Sequence, residues 1–259
     1  MTEALNAPII AARSLVKRFG AVTAARDVSI DIHPGTISGL IGTNGAGKTT
    51  FINMITGYLQ PDAGSILLEG REIIGLTPRR ITRLGVARSF QIPQLFDSLS
   101  AQENLTLALA AQRSRGMAGL LPLRERTLET EAAAILERFA LAQFRDAPAG
   151  TLPEGIRKLL DIAVAMVGAP KVLFLDEPTS GVSSEEKFVI MDRVIAVTRA
   201  AGITVLFVEH DMEIVRRYSD RVIAFFEGRV LIDDGPERVL QDPEVRTYII
   251  GEDAGACAA

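Results

Sequence analysis

The segment GTNGAGKTT, residues 42–50, constrains this chain more than any other. It is a glycine, four residues, then Gly-Lys-Thr, with the apolar run TISGLIG (36–42) before it and the helix-compatible FINMITGYL after it. Gly42, Gly45 and Gly47 let the backbone wrap closely, so that successive N–H groups face one concavity. The helix that follows adds its positive N-terminal end, and such a loop attracts phosphate. Lys48 is placed to reach β- and γ-phosphates and Thr49 to offer its hydroxyl to Mg²⁺, with Asn44, Ala46 and Thr50 completing the nucleotide-binding set. Strand, glycine loop and helix in this order predict an α/β fold.

A chain of 259 residues holds one large α/β domain or one domain with an insert. Its 47% hydrophobic and 23% charged residues suit a packed core rather than disorder. A net charge of −4 argues against a dedicated nucleic-acid binder. The single cysteine, Cys257, excludes an intrachain disulfide and fits a reducing compartment. MTEALNAPII lacks the basic start and apolar run of a secretion signal, and the most apolar window, 159–176, is broken by Asp161, Gly168, Pro170, Lys171 and Asp176. Service to a membrane would therefore come from outside the bilayer.

The first third reads as short strands: VSIDI (28–32), TISGLIG (36–42) and the PDAGSILLEG (61–70) turn, strand and turn. From about 97 to 165 the texture is helical, as in ETEAAAILERFALAQF (129–144), which predicts a helical insert. KVLFLDE (171–177) and ITVLFVEH (203–210) return as strands around the helical EEKFVIMDRVIAVTRAAG (185–202). DRVIAFFEGRVLIDDG (220–235) predicts a hairpin turning at Glu227-Gly228.

Three further positions carry chemistry. Asp176 and Glu177 end an apolar strand: the first acid suits Mg²⁺, and the second suits a general base for water attacking a γ-phosphate. His210 ends the next strand, where a neutral imidazole can donate to a phosphate oxygen. His33, in a turn before Pro34, receives no role.

Phosphate loop, SFQ (89–91), helical insert, LFLDEP and VEHD follow one another in an order that resembles the ATP-binding-cassette (ABC) ATPases across nearly the whole chain. The resemblance implies a single ATPase domain over 1–259: a P-loop core with a mixed sheet, an antiparallel β subdomain, the helical insert at 97–165, and a C-terminal extension at 236–259. It makes Phe19, in VKRFG, the aromatic stacked on adenine. It makes Gln91 a contact of Mg²⁺ and of the attacking water, and His210 the switch histidine. LIGTNGAGKTTFINMITGYLQPDAGSILLEGREI, RITRLGVARSFQIPQLF and DPEVRTYIIGE are similar to the ATP-binding subunits of branched-chain amino acid importers. That branch implies two permease subunits, a second and different ATPase chain, a periplasmic solute-binding protein, and a place on the cytoplasmic face of the cell membrane. The lipopolysaccharide-export ATPases are similar too, though less so at RSFQIPQLF and the C-terminal end.

One stretch departs from the family. Where the signature is usually Leu-Ser-Gly-Gly-Gln, or Leu-Ser-Tyr-Gly-Gln in this branch, the chain has Leu152-Pro153-Glu154-Gly155-Ile156. The resemblance places this loop over the ATP held by the other subunit. Pro153 offers neither hydroxyl nor N–H. Glu154 brings a charge whose repulsion from phosphate at about 4 Å is about 4 kcal/mol at an effective dielectric of 20. Arg157 and Lys158 stand near enough in sequence to offset part of it. Ser183 is a second departure: after DEPTS the family usually has an aspartate at this place, or Asn-Pro in this branch. The resemblance with these departures implies an asymmetric heterodimer; a symmetric homodimer relying on the N–H groups of residues 154–156, and a mainly regulatory ATP-binding partner, are the alternatives.

Overall fold

The computed structural model describes residues 7–113 and 125–251. Cys257 and the end of the 236–259 extension lie outside them, as do residues 1–6 and part of the 97–165 segment. In chain order the elements are β1 (Ile10–Phe19), β2 (Val22–Ile32), β3 (Ile37–Gly42), α1 (Lys48–Ile55), β4 (Ala63–Leu68), β5 (Arg71–Glu72) and α2 (Pro78–Arg83). Then come β6 (Val86–Ser89), α3 (Ala101–Arg113), α4 (Glu125–Arg138), α5 (Glu154–Met166), β7 (Val172–Asp176) and α6 (Ser184–Ala200). Last are β8 (Thr204–Val208), α7 (Met212–Tyr218), β9 (Arg221–Phe226), β10 (Arg229–Asp234) and α8 (Pro236–Gln241).

Two sheets result. One is antiparallel, in the order β2-β1-β4-β5; the other is mixed, in the order β10-β9-β3-β8-β7-β6. In the mixed sheet β9, β3, β8, β7 and β6 run parallel, and β10 closes one edge antiparallel. The α/β class with a mixed sheet and a separate antiparallel sheet is thus the one the sequence predicted.

The central parallel strands β7 and β8 read as near-continuous apolar runs because both of their faces are buried. In β7, Leu173 and Leu175 join a core under helices α3 to α7, while Phe174 between them joins a core on the opposite face. That second core also takes Phe51 and Ile52 from α1 and Ile10, Leu15 and Ile30 from the antiparallel sheet. Helix α1 is therefore clamped between two sheets, which fixes the loop at its N-terminus.

Helix α4 is shorter than its spacing predicts: the helical pattern of 129–144 stops at Arg138. Ala140 turns left-handed at φ 56°. Leu141 N–H bonds Leu136 O at 2.7 Å and Ala140 N–H bonds Glu137 O at 3.0 Å, a C-terminal cap of Schellman type. Ending there buries both Phe139 and Leu141, which a continuous helix would carry to different faces.

The β9–β10 hairpin turns at Glu227 (φ 47°) and Gly228 (φ 79°), the two positive dihedrals of a type I′ turn. Glu227 is exposed and has a Cβ in a left-handed conformation, which costs about 1–2 kcal/mol. Glu227→Asn is expected to raise unfolding stability by about 0.5–1 kcal/mol, read as a higher urea midpoint at unchanged m-value.

Candidate functional site

Four loops leave the C-terminal ends of the parallel strands β3, β6, β7 and β8, and they carry the phosphate loop, Gln91, Glu177 and His210, with Asp176 at the end of β7. Ligands of open α/β sheets bind at this edge, outside the strand ends. The loop after β3 is held by two backbone contacts that leave no room for a side chain. A Cβ on Gly42 (φ 150°) would lie 2.3 Å from Phe225 O, and one on Gly47 (φ 105°) 2.4 Å from Ala24 O. Gly228 N–H donates to Ala46 O at 2.9 Å, so the β9–β10 turn braces the loop. Asn44, Gly45 and Thr49 are exposed, Thr50 is half-buried and Ala46 is buried.

The first bond into α1 is Phe51 N–H to Gly47 O, so the N–H groups of Lys48, Thr49 and Thr50 have no acceptor within the helix. Lys48 is buried, and its Nζ donates to Gly42 O (2.6 Å) and Thr43 O (3.0 Å) across the loop. Burial pulls its pKa below the usual lysine range, opposed by the nearby carboxylates of Glu177 and Asp176. An anion entering the loop would restore the missing counter-charge, which is the electrostatic basis for phosphate affinity here.

Gln91, Glu177 and His210 converge. Gln91 Nε2 donates to Glu177 Oε2 at 2.9 Å, and His210 Nε2 lies 3.1 Å from Glu177 Oε1. Toward an ionised carboxylate that ring nitrogen carries the proton and donates. Glu177 holds φ 49°, a left-handed conformation that costs on the order of 1–3 kcal/mol and is found where surroundings fix it. The fixing groups are visible: Glu177 N–H bonds Val208 O at 3.1 Å, and Lys158 Nζ donates to Glu177 O at 3.2 Å. Asp176, one residue earlier, receives Arg88 NH2 on Oδ2 at 2.6 Å.

The sequence reading missed two of these partners. Lys158 was expected to offset Glu154; it is buried, with Nζ also 3.5 Å from Gln91 O. Burial lowers its pKa first of all, and of the four carboxylates that raise it Glu154 comes first, so the expected attraction is present beside these backbone bonds. Arg157 is engaged elsewhere, with Asp97 Oδ1 at 2.8 Å and Ala149 O at 3.0 Å. Arg88 carried no signal in its spacing. Glu209, beside His210, is buried and accepts from Thr179 N–H and hydroxyl, and burial raises its pKa.

The LPEGI segment forms the entry to α5. Leu152 is buried in the helical core and Gly155 packs where a Cβ would meet Ile190 Cδ1 at 3.2 Å. Pro153 is the N-cap residue (φ −55°, ψ 150°) and supplies no side-chain cap. Glu154 is exposed in the first turn, and Ile156 is half-buried. The first helix bond is Arg157 N–H to Pro153 O, which leaves the N–H groups of residues 154–156 outside the helical ladder. Ser183 is the N-cap of α6 in a reciprocal capping box with Glu186. A serine there does the capping work of an aspartate, so this departure costs the fold nothing. Phe19 ends β1 with 51% of its surface exposed and Lys17 Nζ 5.7 Å from its ring centroid.

A family model described as "ABC transporter" matches residues 25–180. The chain is 36% identical over 254 residues to the high-affinity branched-chain amino acid transport ATP-binding protein BraF of Pseudomonas aeruginosa, covering 96% of this chain and 100% of the relative. It is 35% identical to LivG of Escherichia coli K12, a protein of the same description, with the same coverage. Among solved structures it is similar to MJ1267, an ATP-binding cassette of an ABC transporter in its ADP conformation. The TM-score is 0.83 and the identity 34%, over 94% of this chain and 99% of that one.

Capping by Ser183 makes a clean prediction. Ser183→Ala is expected to lower unfolding stability by about 1 kcal/mol, while Ser183→Asp stays within about 0.5 kcal/mol, both read by urea denaturation.

Proposed function

Because the chain belongs to the ABC transporter family and is one of its ATP hydrolases, we propose that it powers a membrane importer for branched-chain or related amino acids and small organic solutes. The observation that carries this reading is the meeting of Gln91, Glu177 and His210, at 2.9 and 3.1 Å, beside a phosphate loop. In the proposed reaction Lys48 and the first N–H groups of α1 hold the β- and γ-phosphates, and the adenine lies on Phe19. Gly42, Asn44, Gly45, Ala46, Gly47 and Thr50 shape the cradle. Gln91 fixes the Glu177 carboxylate, which takes the proton of the attacking water, and His210 turns its Nε2–H from Glu177 to a γ-phosphate oxygen when nucleotide enters.

Thr49, Asp176 and Gln91 offer hard oxygen donors of the kind Mg²⁺ takes, so these residues fit that ion. When bound it neutralises β- and γ-phosphate charge. Among the described residues no helix is long and apolar enough to cross a membrane. By similarity to importer ATP-binding subunits, the reading places the chain peripherally, on the cytoplasmic face, with two permease subunits, a periplasmic solute-binding protein and a second ATPase. Nucleic acid has no part in it.

The second ATPase is proposed to be a different chain. Every group that grips this chain's own nucleotide is present, and a partner with an ordinary signature would complete that site. In return this chain presents Pro153, without a hydroxyl, and the exposed carboxylate of Glu154. A carboxylate in the first turn suits the helix dipole but competes with an incoming phosphate for the same positive end. Ser183, being a sound helix cap, lends this asymmetry no support. One observation favours the symmetric reading: the N–H groups of residues 154–156 remain free of helical bonds despite Pro153.

The two readings separate in the assembled transporter. Glu177→Gln in this chain is expected to cut ATP turnover ~100-fold or more, the usual scale for losing a general base. The equivalent change in the partner ATPase is expected to cost no more than about twofold, because that base serves the weak site. Equal losses would remove the asymmetry. A turnover rate insensitive to Glu177→Gln would remove the hydrolytic role given to this site.

A further inference from the structure

Asp176 does not stand free at the end of β7. Arg88, on the neighbouring strand β6, pairs in register with Phe174, and its guanidinium reaches along the sheet edge. NH2 donates to Asp176 Oδ2 at 2.6 Å, and NH1 donates to Asn53 Oδ1, also at 2.6 Å. The guanidinium lies 4.9 Å from the Phe90 ring centroid, and Phe90 in turn meets the edge of Tyr58 at 5.9 Å. The Arg88 side chain is 8% exposed and that of Asp176 14%. Arg88 Nε is buried without a hydrogen-bond partner among the described residues. The fork is thus aimed at Asn53 and Asp176 even though its Nε–H goes unsatisfied, at a desolvation cost.

We infer that Arg88 is a positioning residue for the metal-binding carboxylate: its fork between Asn53 and Asp176 fixes the Asp176 side chain so that one oxygen stays committed to the protein and the other faces a divalent cation. The inference rests on the reading of Asp176 as the Mg²⁺ carboxylate. Asn53 belongs to α1, the helix that begins with Lys48 and Thr49. Arg88 therefore sets the distance between the two halves of the metal site, the hydroxyl on α1 and the carboxylate on β7. A lysine cannot do this, because a single ammonium does not span two acceptors in a fixed plane. Phe90, packed on the guanidinium, immediately precedes Gln91, so the same arginine ties the glutamine loop to the carboxylate.

Partners that orient a metal's ligands typically contribute 10–100-fold to metal affinity, which sets the scale of the test. Mn²⁺ binding to the full chain in saturating ADP, followed by electron paramagnetic resonance, reads the metal without hydrolysis. Arg88→Gln is expected to weaken Mn²⁺ binding by about tenfold or more, Arg88→Lys by nearly as much, and Asn53→Ala by a smaller factor in the same direction. ADP binding in EDTA is expected to stay within about twofold for all three, since the phosphate loop itself is untouched. Asn53→Ala and Arg88→Lys carry the test should Arg88→Gln fail to fold. Mn²⁺ affinity unchanged in all folded variants, or tightened because the arginine had been competing with the metal, would overturn the inference. Asp176→Asn separates the layers: if it too leaves Mn²⁺ binding unchanged, the reading of Asp176 falls and this inference with it. If it weakens binding while the Arg88 and Asn53 variants do not, the inference alone falls.

Discussion

Two backbone contacts without space for a Cβ, Gly42 on Phe225 O and Gly47 on Ala24 O, hold the phosphate loop to the rest of the molecule. Each joins the loop to a different sheet: Phe225 lies in β9 of the mixed sheet, and Ala24 lies in β2 of the antiparallel one. Any side chain at either glycine would push α1 out of the space between the sheets, where Phe51 and Ile52 are fully buried. The two cores, the orientation of α1 and the cradle for phosphate thus depend on the same few atoms.

Around that fixed point the charges are arranged for an anion that the protein itself does not supply. Lys48 is buried and its ammonium rests on loop carbonyls. Glu177 is held in a left-handed conformation with its two oxygens on Gln91 and His210. Lys158, rooted in the helix that LPEGI begins, bonds the carbonyls of Glu177 and Gln91 from behind. One buried cation therefore links the helix that LPEGI begins to the backbone of both Glu177 and Gln91. Its low-dielectric setting strengthens each of those contacts.

The structure also redistributes the weight of the two departures from the family pattern. Ser183 turns out to be a helix cap with a reciprocal glutamate, which accounts for a serine at that position without any reference to a partner. Pro153 and Glu154 have no such local explanation. They start α5 without a side-chain cap, and the exposed acid sits where the helix is most positive.

The sequence by itself determined the motifs and their order, the strands with both faces buried, and the hairpin at Glu227-Gly228. Those features are local: a glycine spacing, an apolar run or a turn dipeptide has the same meaning wherever it stands. Even the α4 end at Ala140, where the helical spacing ran on, was decided by the need to bury Phe139 and Leu141 together. Only the tertiary structure decided which side chains meet. Gln91 and Glu177 lie 86 residues apart, His210 and Glu177 33 apart, and Arg88 and Asp176 88 apart. Strand order brings them together, because β6, β7 and β8 are neighbours and end on one edge of one sheet. No spacing rule could mark Arg88, or give Lys158 its bond to the carbonyl of Glu177, since both depend on acceptors that only that edge assembles.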